Sequence, residues 1–320
     1  MVHGTPSPAS FAPLSPGDAV AVVAPASPIR AEMLLTGLAE LVDLGLEPRL
    51  SVASAETLAR RRHRFSAGTD AERLEELRWA FELPEHRAVW LARGGYGVTP
   101  LLPSLTDEWL GDRSCLVLGE SDATALGCWA LTQGRGWIHG PMVAGSLRLG
   151  DAGRDRASLE AAIFGRAQSL TPAGVVPLRA GSGEGVLFGG CVTLLASLCG
   201  TPFLPRIRGG IAVLEDVGVK PYQLHRMLVQ LRDAGVFEDL AGVVLGDFSD
   251  CRQHPEQGYE IDEVLGDFFD ELAPGVPVSL GWPIGHADAP HLSLPLGQSA
   301  TLTVESDGVS RLEHPAMETA

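Results

Sequence analysis

Ser121 occupies a position that suits a catalytic nucleophile. The segment 116–126 reads Leu-Val-Leu-Gly-Glu-Ser-Asp-Ala-Thr-Ala-Leu, in which an apolar run ends in glycine and a helix-like pattern starts directly after the serine. This pattern predicts a tight turn between a buried strand and a helix. A serine on such a turn can expose its hydroxyl beside backbone N–H groups, as in a nucleophile elbow. The usual G-x-S-x-G pattern has a second glycine where this chain has Ala123, so the motif match is incomplete.

Glu215 and His286 are the other candidates for this chemistry. Glu215 ends an apolar strand pattern, and His286 ends a glycine-rich loop that follows another such pattern. In open α/β sheets ligands bind beyond the carboxyl ends of the strands, so these side chains could meet Ser121 there. A serine hydroxyl needs an imidazole to accept its proton, and the imidazole needs a carboxylate to hold its tautomer. The residue types therefore allow a Ser-His-Glu triad.

Simpler roles remain open for each of the three residues. Many strand-to-helix turns carry a serine that only caps the helix, which would explain Ser121 without catalysis. Glu215 could form a surface ion pair with Lys220 or Arg226, and His286 could be an ordinary loop histidine. Because a serine, a glutamate and a histidine can be selected from any long chain, spacing alone does not choose between these interpretations.

A glycine-rich turn, Arg93-Gly-Gly-Tyr-Gly97, follows another predicted strand. A phosphate or nucleotide loop is one interpretation, but the turn has neither the G-x-G-x-x-G pattern nor the Gly-Lys-Ser/Thr of a P-loop. A turn whose backbone N–H points at the Ser121 site, as an oxyanion donor, is the better interpretation. A purely structural turn remains the third.

The best local candidate for a metal site is the loop cluster of His286, Asp288 and His291. An H-E-x-x-H pattern is missing, so we expect no metal ion. The cysteines include no C-x-x-C pair and several lie in apolar runs, which favours buried thiols in a reducing compartment. They are Cys115, Cys128, Cys191, Cys199 and Cys251.

Composition narrows the class of protein. The chain has 320 residues, 45% of them hydrophobic and 20% charged, which is typical of a globular enzyme with one large or two ordinary domains. A net charge of −16 argues against a nucleic-acid partner, since phosphate binding needs clustered Lys and Arg. No secretory signal is visible, and no apolar run approaches the roughly 20 residues that span a bilayer. We therefore expect a cytoplasmic protein without a membrane partner.

The order of the predicted elements shows how these residues are positioned. Strands and helices alternate up to about residue 145, which predicts a doubly wound α/β domain with a mostly parallel sheet. Expected strands lie at 18–24, 46–52, 88–92, 115–118, 210–215, 240–245 and 276–280, with an antiparallel end at 300–304. Expected helices lie at 31–44, 70–82, 122–133, 157–164, 187–199, 221–231 and 261–272. The predicted organisation is a frayed N-terminal arm (1–16), an N-terminal domain with the nucleophile (17–145), an interdomain connection (146–182) and a C-terminal domain with the Glu and His (183–320).

Taken together, a series of short segments resembles the LD-carboxypeptidase family of serine peptidases, which includes the microcin C immunity peptidases. The segments appear in the family's order over roughly residues 17–300. They are Val22-Val-Ala-Pro-Ala-Ser-Pro28, Ala67-Gly-Thr-Asp70, Ala92-Arg-Gly-Gly-Tyr-Gly97, Gly119-Glu-Ser-Asp-Ala-Thr-Ala-Leu126, His139-Gly-Pro141, Gly189-Gly190, Gly200-Thr-Pro202, Leu214-Glu-Asp-Val-Gly218, Pro221-Tyr222, Arg226-Met-Leu228, Gly285-His286 and Leu294-Pro-Leu-Gly297.

The resemblance implies a nucleophile at Ser121, with Glu215 and His286 as its charge-relay partners. It implies an oxyanion hole formed by the backbone N–H groups of Gly95 and Asp122. It also implies a flavodoxin- or glutamine-amidotransferase-like N-terminal domain, a smaller C-terminal α/β domain with a mixed sheet, a homodimer and no cofactor. Family members cleave an amide bond near a free carboxyl end of a small peptide, typically the murein tetrapeptide before its terminal D-Ala. The immunity branch cleaves a peptidyl- or aminoacyl-nucleotide instead.

This chain departs from the family pattern beside the nucleophile and at two further positions. Glu120 stands where an aromatic residue is common, Cys191 where Asn is common, and Val219 where many members have Glu. If Glu120 faced the pocket it would repel a substrate carboxylate, so we expect it to face a cationic group or solvent. We expect Arg93, Gly94 and Glu120 to contact the substrate.

We therefore predict a cytoplasmic serine carboxypeptidase that acts on an LD-peptide in peptidoglycan recycling. An immunity-type peptidase acting on an acylated nucleotide is the alternative within enzymes. A ligand-binding protein without catalytic activity on the same scaffold is the alternative from another class. Retention of all three triad residue types speaks against the last of these.

Overall fold

The computed structural model describes residues 8–109, 115–286 and 290–317. The strands are β1 (Ala19–Val23), β2 (Glu47–Arg49), β3 (His86–Leu91), β4 (Leu116–Gly119), β5 (Trp137–His139), β6 (Gln168–Leu170), β7 (Val176–Arg179), β8 (Gly181–Cys191), β9 (Ile211–Glu215), β10 (Gly242–Leu245), β11 (Val278–Leu280), β12 (Leu294–Leu296), β13 (Ser299–Val304) and β14 (Ser310–His314). The α-helices are α1 (Ala31–Asp43), α2 (Ala55–Arg60), α3 (Asp70–Glu82), α4 (Ala123–Thr132), α5 (Arg156–Ile163), α6 (Val192–Ser197), α7 (Pro221–Asp233) and α8 (Ile261–Leu272). Short 3₁₀ turns occur at Thr99–Ser104, Asp107–Trp109, Leu147–Ala152 and Pro255–Gln257.

The first sheet has the strand order β12-β5-β4-β3-β1-β2. Strands β1 to β5 are parallel to one another, and β12 joins the edge antiparallel to β5. The order of the parallel strands, β2-β1-β3-β4-β5, is that of flavodoxin-like doubly wound sheets, whose ligands bind beyond the carboxyl ends near the β1/β3 switch point. The residues of β1 and β4 are buried throughout, as expected for strands covered by helices on both faces.

The second sheet has the order β6-β14-β13-β8-β9-β10-β11-β7. Its centre, from β8 to β11, is parallel, while β7, β13, β14 and β6 add antiparallel strands on the two sides. The predicted fold class is therefore confirmed, with one mostly parallel sheet and one mixed sheet. Strand β9 ends on Glu215 at the carboxyl end of this parallel centre.

The segments 187–190 and 146–182 differ from the prediction. Residues 187–190 were expected to introduce a helix, but they lie inside the long strand β8, and the helix α6 begins only at Val192. The glycines there suggested a turn, whereas Gly189 lets β8 approach β9 so closely that a Cβ atom would lie 1.9 Å from the carbonyl oxygen of Val213. The segment 146–182 contains α5, β6 and β7, and the last two strands belong to the second sheet.

Several helices begin where the sequence predicts. Thr69 caps α3 in a complete capping box with Glu72, whose carboxylate accepts a hydrogen bond from the Thr69 N–H at 2.7 Å. Pro221 is the first residue of α7, where its fixed φ angle suits the helix and its missing N–H costs nothing. The helix expected at 261–272 is α8, with the same bounds.

The described part of the N-terminal arm packs against the first sheet. The Ala9 N–H donates to the carbonyl oxygen of Gly297 at 2.8 Å, and Phe11 and Leu14 are buried. Residues 9–14 are therefore held in place rather than frayed, because two apolar side chains anchor them. The cysteines are free thiols, and all but the half-buried Cys199 are buried, as predicted. Within the described ranges, no helix is long and apolar enough to cross a membrane.

Candidate active site

Ser121 lies on the turn between β4 and α4 in a backbone conformation that is unusual for a serine. Its φ angle is +58°, in the left-handed region. Such a conformation costs about 1 kcal/mol or more outside glycine and persists only where the surrounding structure enforces it. Here Gly119, at the end of β4, lets the chain turn sharply, because a Cβ atom on it would lie 2.7 Å from the Cβ atom of Ala123. The turn therefore has the form of a nucleophile elbow, with Ser121 at its tip.

The Arg93-Gly-Gly-Tyr-Gly97 turn packs directly on this serine. A Cβ atom on Gly94 would lie 2.7 Å from Ser121 Cβ and 2.8 Å from Ser121 Oγ, so only glycine fits there. The loop after β1 holds the turn in place. Ser27 N–H donates to the carbonyl oxygen of Gly94 at 3.2 Å, and Ser27 Oγ accepts from the Tyr96 N–H at 3.2 Å.

The two N–H groups expected to form an oxyanion hole belong to the glycine-rich turn and to the elbow. Gly95 is on the turn that contacts Ser121, and Asp122 follows it in sequence. Within the described ranges neither the Gly95 N–H nor the Asp122 N–H donates to a protein acceptor. Both are thus available to an oxygen atom of a bound substrate.

The Asp122 side chain fastens the elbow to the glycine-rich turn. It is fully buried, and its carboxylate accepts a hydrogen bond from the Val98 N–H at 2.8 Å. Burial raises the pKa of Asp122 to about 6, against the effect of this hydrogen bond. The contact fixes the position of the turn relative to the N-terminus of α4.

Glu215 and His286 meet at the carboxyl end of β9. His286 Nδ1 donates to Glu215 Oε2 over 2.9 Å, and the glutamate side chain is fully buried. The approach depends on Gly285, since a Cβ atom there would lie 2.3 Å from Glu215 Oε2. Burial opposes ionisation of Glu215, but contacts with His139 and His286 outweigh it and lower its pKa to about 2. The carboxylate is therefore ionised at neutral pH and orients the imidazole.

The same hydrogen bond changes the acidity of His286. Burial favours the neutral ring, but the bond to Glu215 and the negative charges of Glu215, Glu120 and Asp216 raise the pKa of His286 to about 9. Its backbone is also held, because Ser249 Oγ lies 3.0 Å from the His286 carbonyl oxygen and also bonds to Asp247. Among the described residues His286 Nε2 has no hydrogen-bond partner, so this atom can serve as a base.

His139 is a part of the site that sequence reasoning missed. It ends β5, in register with Gly119 of β4, and it is almost completely buried. His139 Nε2 lies 3.5 Å from Glu215 Oε1, so each oxygen of the carboxylate faces a different imidazole. The only signal in the sequence was its place in the His139-Gly-Pro141 segment, which did not indicate this partner.

The expected substrate-contact residues have protein partners. Glu120 is buried, with Oε2 lying 2.8 Å from His291 Nδ1 and Oε1 accepting from Ser146 Oγ at 3.2 Å. It therefore faces an imidazole, which is cationic when it is protonated. Arg93 is exposed and donates to the carbonyl oxygen of Pro28 at 2.8 Å.

The loop cluster considered as a metal site lies only partly within the described residues. Asp288 lies outside the described residues, and His291 pairs with Glu120. Throughout the part of the chain that the structure describes, no three His, Cys, Asp or Glu side chains are grouped as metal ligands would be.

The Ser121 hydroxyl makes no hydrogen bond to His286 in the described structure. Catalytic hydrogen bonds are often long in free enzymes and shorten when substrate binds. The described structure has Ser121 in a left-handed conformation under a glycine-rich turn, and a carboxylate–imidazole pair at the carboxyl end of β9. This is the set of groups that acyl transfer requires.

Comparison with known proteins identifies the family. Residues 20–140 match the model of the LD-carboxypeptidase N-terminal domain, and residues 184–302 match that of the C-terminal domain. The murein tetrapeptide carboxypeptidase of Pseudomonas aeruginosa is 34% identical over 88% of this chain and 92% of its own length. This chain belongs to the LD-carboxypeptidase family. It is accordingly a serine-type carboxypeptidase.

Solved structures agree with this assignment. The muramoyltetrapeptide carboxypeptidase from Oxalobacter formigenes superposes with a TM-score of 0.82 at 29% identity, covering 94% of this chain and all of that one (100%). The microcin C7 self-immunity protein MccF in complex with aspartyl sulfamoyl adenosine gives a TM-score of 0.82 at 21% identity, with 98% and 100% covered. At that identity the second likeness shows a shared fold.

Proposed function

We propose that this LD-carboxypeptidase family member hydrolyses an LD-peptide bond and releases the terminal D-Ala of murein tetrapeptide, as in peptidoglycan recycling. The observation that carries the proposal is the buried Glu215–His286 pair, with 2.9 Å between Oε2 and Nδ1, in a chain whose Ser121 occupies a strained elbow. The relative from Pseudomonas aeruginosa, named for this substrate, supports the choice of peptide.

The proposed reaction begins with attack by Ser121 Oγ on the carbonyl carbon of the scissile bond. His286 Nε2 accepts the hydroxyl proton while Glu215 holds the Nδ1–H tautomer. The carbonyl oxygen becomes an oxyanion and accepts hydrogen bonds from the N–H groups of Gly95 and Asp122. The C–N bond then breaks, the leaving amine takes the proton from His286, and an acyl-enzyme on Ser121 remains. Water, deprotonated by His286, hydrolyses this ester and restores the serine.

A second candidate is cleavage of an acylated nucleotide, as in the immunity branch. The observation that favours it is an exposed aromatic pair beside the glycine-rich turn. The rings of Phe65 and Tyr96 meet edge to face with centroids 5.1 Å apart, and they are 59% and 49% exposed. Such a surface can stack on a nucleobase. Tyr96 directly follows Gly95, so a base stacked there would lie near the reacting centre.

The test is a side-by-side product assay by mass spectrometry, with murein tetrapeptide and an aminoacyl-sulfamoyl adenosine. Release of D-Ala by the wild-type protein but not by Ser121→Ala supports the first proposal. Selective cleavage of the adenosine compound would replace it with the second. If neither compound is cleaved and an active-site serine probe fails to label the protein, the proposed activity is wrong. That result would favour the alternative of a ligand-binding protein without catalytic activity.

The proposal includes a cytoplasmic location, as predicted from the sequence, and a homodimer, as the family resemblance implies. Light scattering coupled to size-exclusion chromatography would give twice the mass of the 33.8 kDa chain. A monomer at assay concentration would remove the dimer from the proposal without affecting the triad.

A further inference from the structure

Glu120 and His291 form a buried ion pair next to the nucleophile, and the proposed mechanism uses neither. Glu120 Oε2 lies 2.8 Å from His291 Nδ1, and each side chain is 5% exposed. The other oxygen of Glu120 accepts from Ser146 Oγ at 3.2 Å. Buried charges are costly unless they are paired, so a carboxylate kept here needs its partner.

The pair joins two elements of the active site. Glu120 directly precedes Ser121 on the elbow, and His291 follows His286 on the same loop. The backbone of His291 is fixed independently, since its N–H donates to the Gly153 carbonyl oxygen at 3.2 Å and its own carbonyl oxygen accepts from the Asp155 N–H at 2.8 Å. The imidazole is therefore presented to Glu120 by backbone that is held in place.

The charges that face His291 determine its state. Burial favours the neutral ring, but Glu120 raises the pKa of His291 through its charge and contact, Glu215 on β9 adds to the rise, and His286 on the same loop opposes it. The backbones of Arg154 and His291 form an isolated β-bridge. The Arg154 guanidinium forms an ion pair with Glu40, with 2.6 Å between Nη1 and Oε2. When His291 is protonated, its positive charge lies within 2.8 Å of the Glu120 carboxylate and can offset the charge of that carboxylate.

A substrate of a carboxypeptidase must bring its own negative charge to this place. Only the amide nitrogen and one α-carbon separate the attacked carbonyl carbon from the terminal carboxylate, so the two lie within about 4 Å of each other. The carboxylate therefore binds close to Ser121 and to its neighbour Glu120. At an effective dielectric constant of about 20, two like charges ~8 Å apart would weaken binding roughly 30-fold.

We propose that His291 is a positioning residue that sets specificity by neutralising Glu120, so that a substrate carboxylate can bind beside Ser121. This inference rests on the proposed cleavage next to a free carboxyl end. It explains how a chain with glutamate at position 120 can still accept such a substrate. Its function is expressed in substrate binding, whereas the triad acts in the chemical step.

The test compares His291→Gln, Glu120→Gln and the double variant on murein tetrapeptide at about neutral pH. His291→Gln leaves Glu120 without its cation, and we expect KM to rise ~10-fold or more with kcat within ~3-fold. The double variant removes the uncompensated charge and should return KM to within ~3-fold of wild type. Glu76→Gln, which alters a buried ion pair with Arg61 at 3.1 Å, is the matched control and should leave KM unchanged.

Binding separates this inference from the proposed function. On a Ser121→Ala background, calorimetry should show weaker binding of the peptide acid in His291→Gln and little change for the peptide amide. Equal weakening for acid and amide, or no recovery in the double variant, would overturn the inference, because loss of structure would then explain the effect. Charge-selective binding in a wild-type protein that cleaves no peptide would instead overturn the proposed function alone.

A pH series covers the case in which His291→Gln does not fold. In the wild-type protein KM for the acid should rise as His291 loses its proton at alkaline pH, and in Glu120→Gln this rise should be smaller. A rise of equal size in both proteins would contradict the role of the pair.

Discussion

Glu215 Oε2 and His286 Nδ1 lie 2.9 Å apart although 71 positions separate the two residues in the chain. The glutamate ends a central strand of the second sheet, and the histidine belongs to a loop that Gly285 allows to pass close to the carboxylate. Because the Glu215 side chain is fully buried, Glu215 and His286 each shift the pKa of the other. This coupling makes the activity dependent on pH in a direction that can be worked out.

The first prediction is an acid limb in the pH–rate profile. The base in the proposed mechanism is neutral His286, and Glu215 helps to raise the pKa of His286 to about 9. Below that pH the ring is protonated, so kcat should increase ~10-fold per pH unit and level off above about pH 9, while the effect of His291 on binding is measured separately in KM. Steady-state kinetics from pH 6 to about 10 would show this. A profile that is flat between pH 7 and about 9 would contradict the assignment of His286 as base.

As a control on the same prediction, the pKa of His286 can be measured directly. Glu215→Gln removes the charge that favours the imidazolium, so the pKa of His286 should fall, as followed by the Hε1 resonance in an NMR titration. The same pKa shift makes the stability of the fold depend on pH. A pKa raised from 6.5 to about 9 stabilises the fold below pH 6.5, and this contribution is lost as the pH rises through about 9.

The second prediction concerns the nucleophile. Ser121→Ala should fold normally, since the side chain loses only its hydroxyl, which makes no hydrogen bond to any other described residue. Hydrolysis of the peptide should fall by a factor of at least ~10³, because no other group forms the acyl-enzyme. Circular dichroism would report the fold and product analysis the rate. Activity close to that of wild type would exclude Ser121 as the nucleophile.

Much of this arrangement was accessible from the sequence because it depends on local patterns. Apolar runs placed strands before Ser121 and at Glu215, and the Thr69-to-Glu72 spacing marked the start of α3. Such features are set by residues within one turn or one strand. The mostly parallel direction of the strands in the first sheet follows from the same alternation of strand and helix.

The remainder depends on contacts between distant parts of the chain. His139 faces Glu215, and His291 faces Glu120, only because separate loops and strand ends meet in space. Strand β8 was missed because Gly189 serves a close approach of backbones, which has no local signature. Strand β12 was missed because a three-residue segment with a central proline gives little indication of a strand. It is a strand because it pairs with β5, which is distant in sequence.

The third prediction tests the packing of the glycine-rich turn on the nucleophile. In Gly94→Ala the new methyl group would lie 2.8 Å from Ser121 Oγ, so the serine or the turn must shift. A displacement of about 1 Å in the reacting groups can cost ~100-fold in rate, and we expect kcat to fall by that order. The result is measured with the tetrapeptide assay.

Gly266→Ala is the matched control for this substitution. Gly266 lies inside α8 with open space around the position of its Cβ atom, and its backbone needs no glycine. Alanine should leave the rate unchanged and raise the free energy of unfolding by about 0.5–1 kcal/mol. If Gly94→Ala were as active as Gly266→Ala, the turn would not limit the position of Ser121.

The fourth prediction assigns a positioning role to His139. Its Nε2 lies 3.5 Å from Glu215 Oε1, while the other oxygen of the glutamate is bonded to His286. In His139→Leu the buried carboxylate loses one of its two partners and can rotate away from the catalytic imidazole. Because removing one partner of a buried charge leaves it less well held, we expect kcat to fall roughly 10-fold or more with KM unchanged. His139→Gln keeps an N–H donor on that side and should recover part of the loss. If both variants lower kcat equally, or if KM changes instead, the histidine serves packing against Trp137 and not the orientation of Glu215.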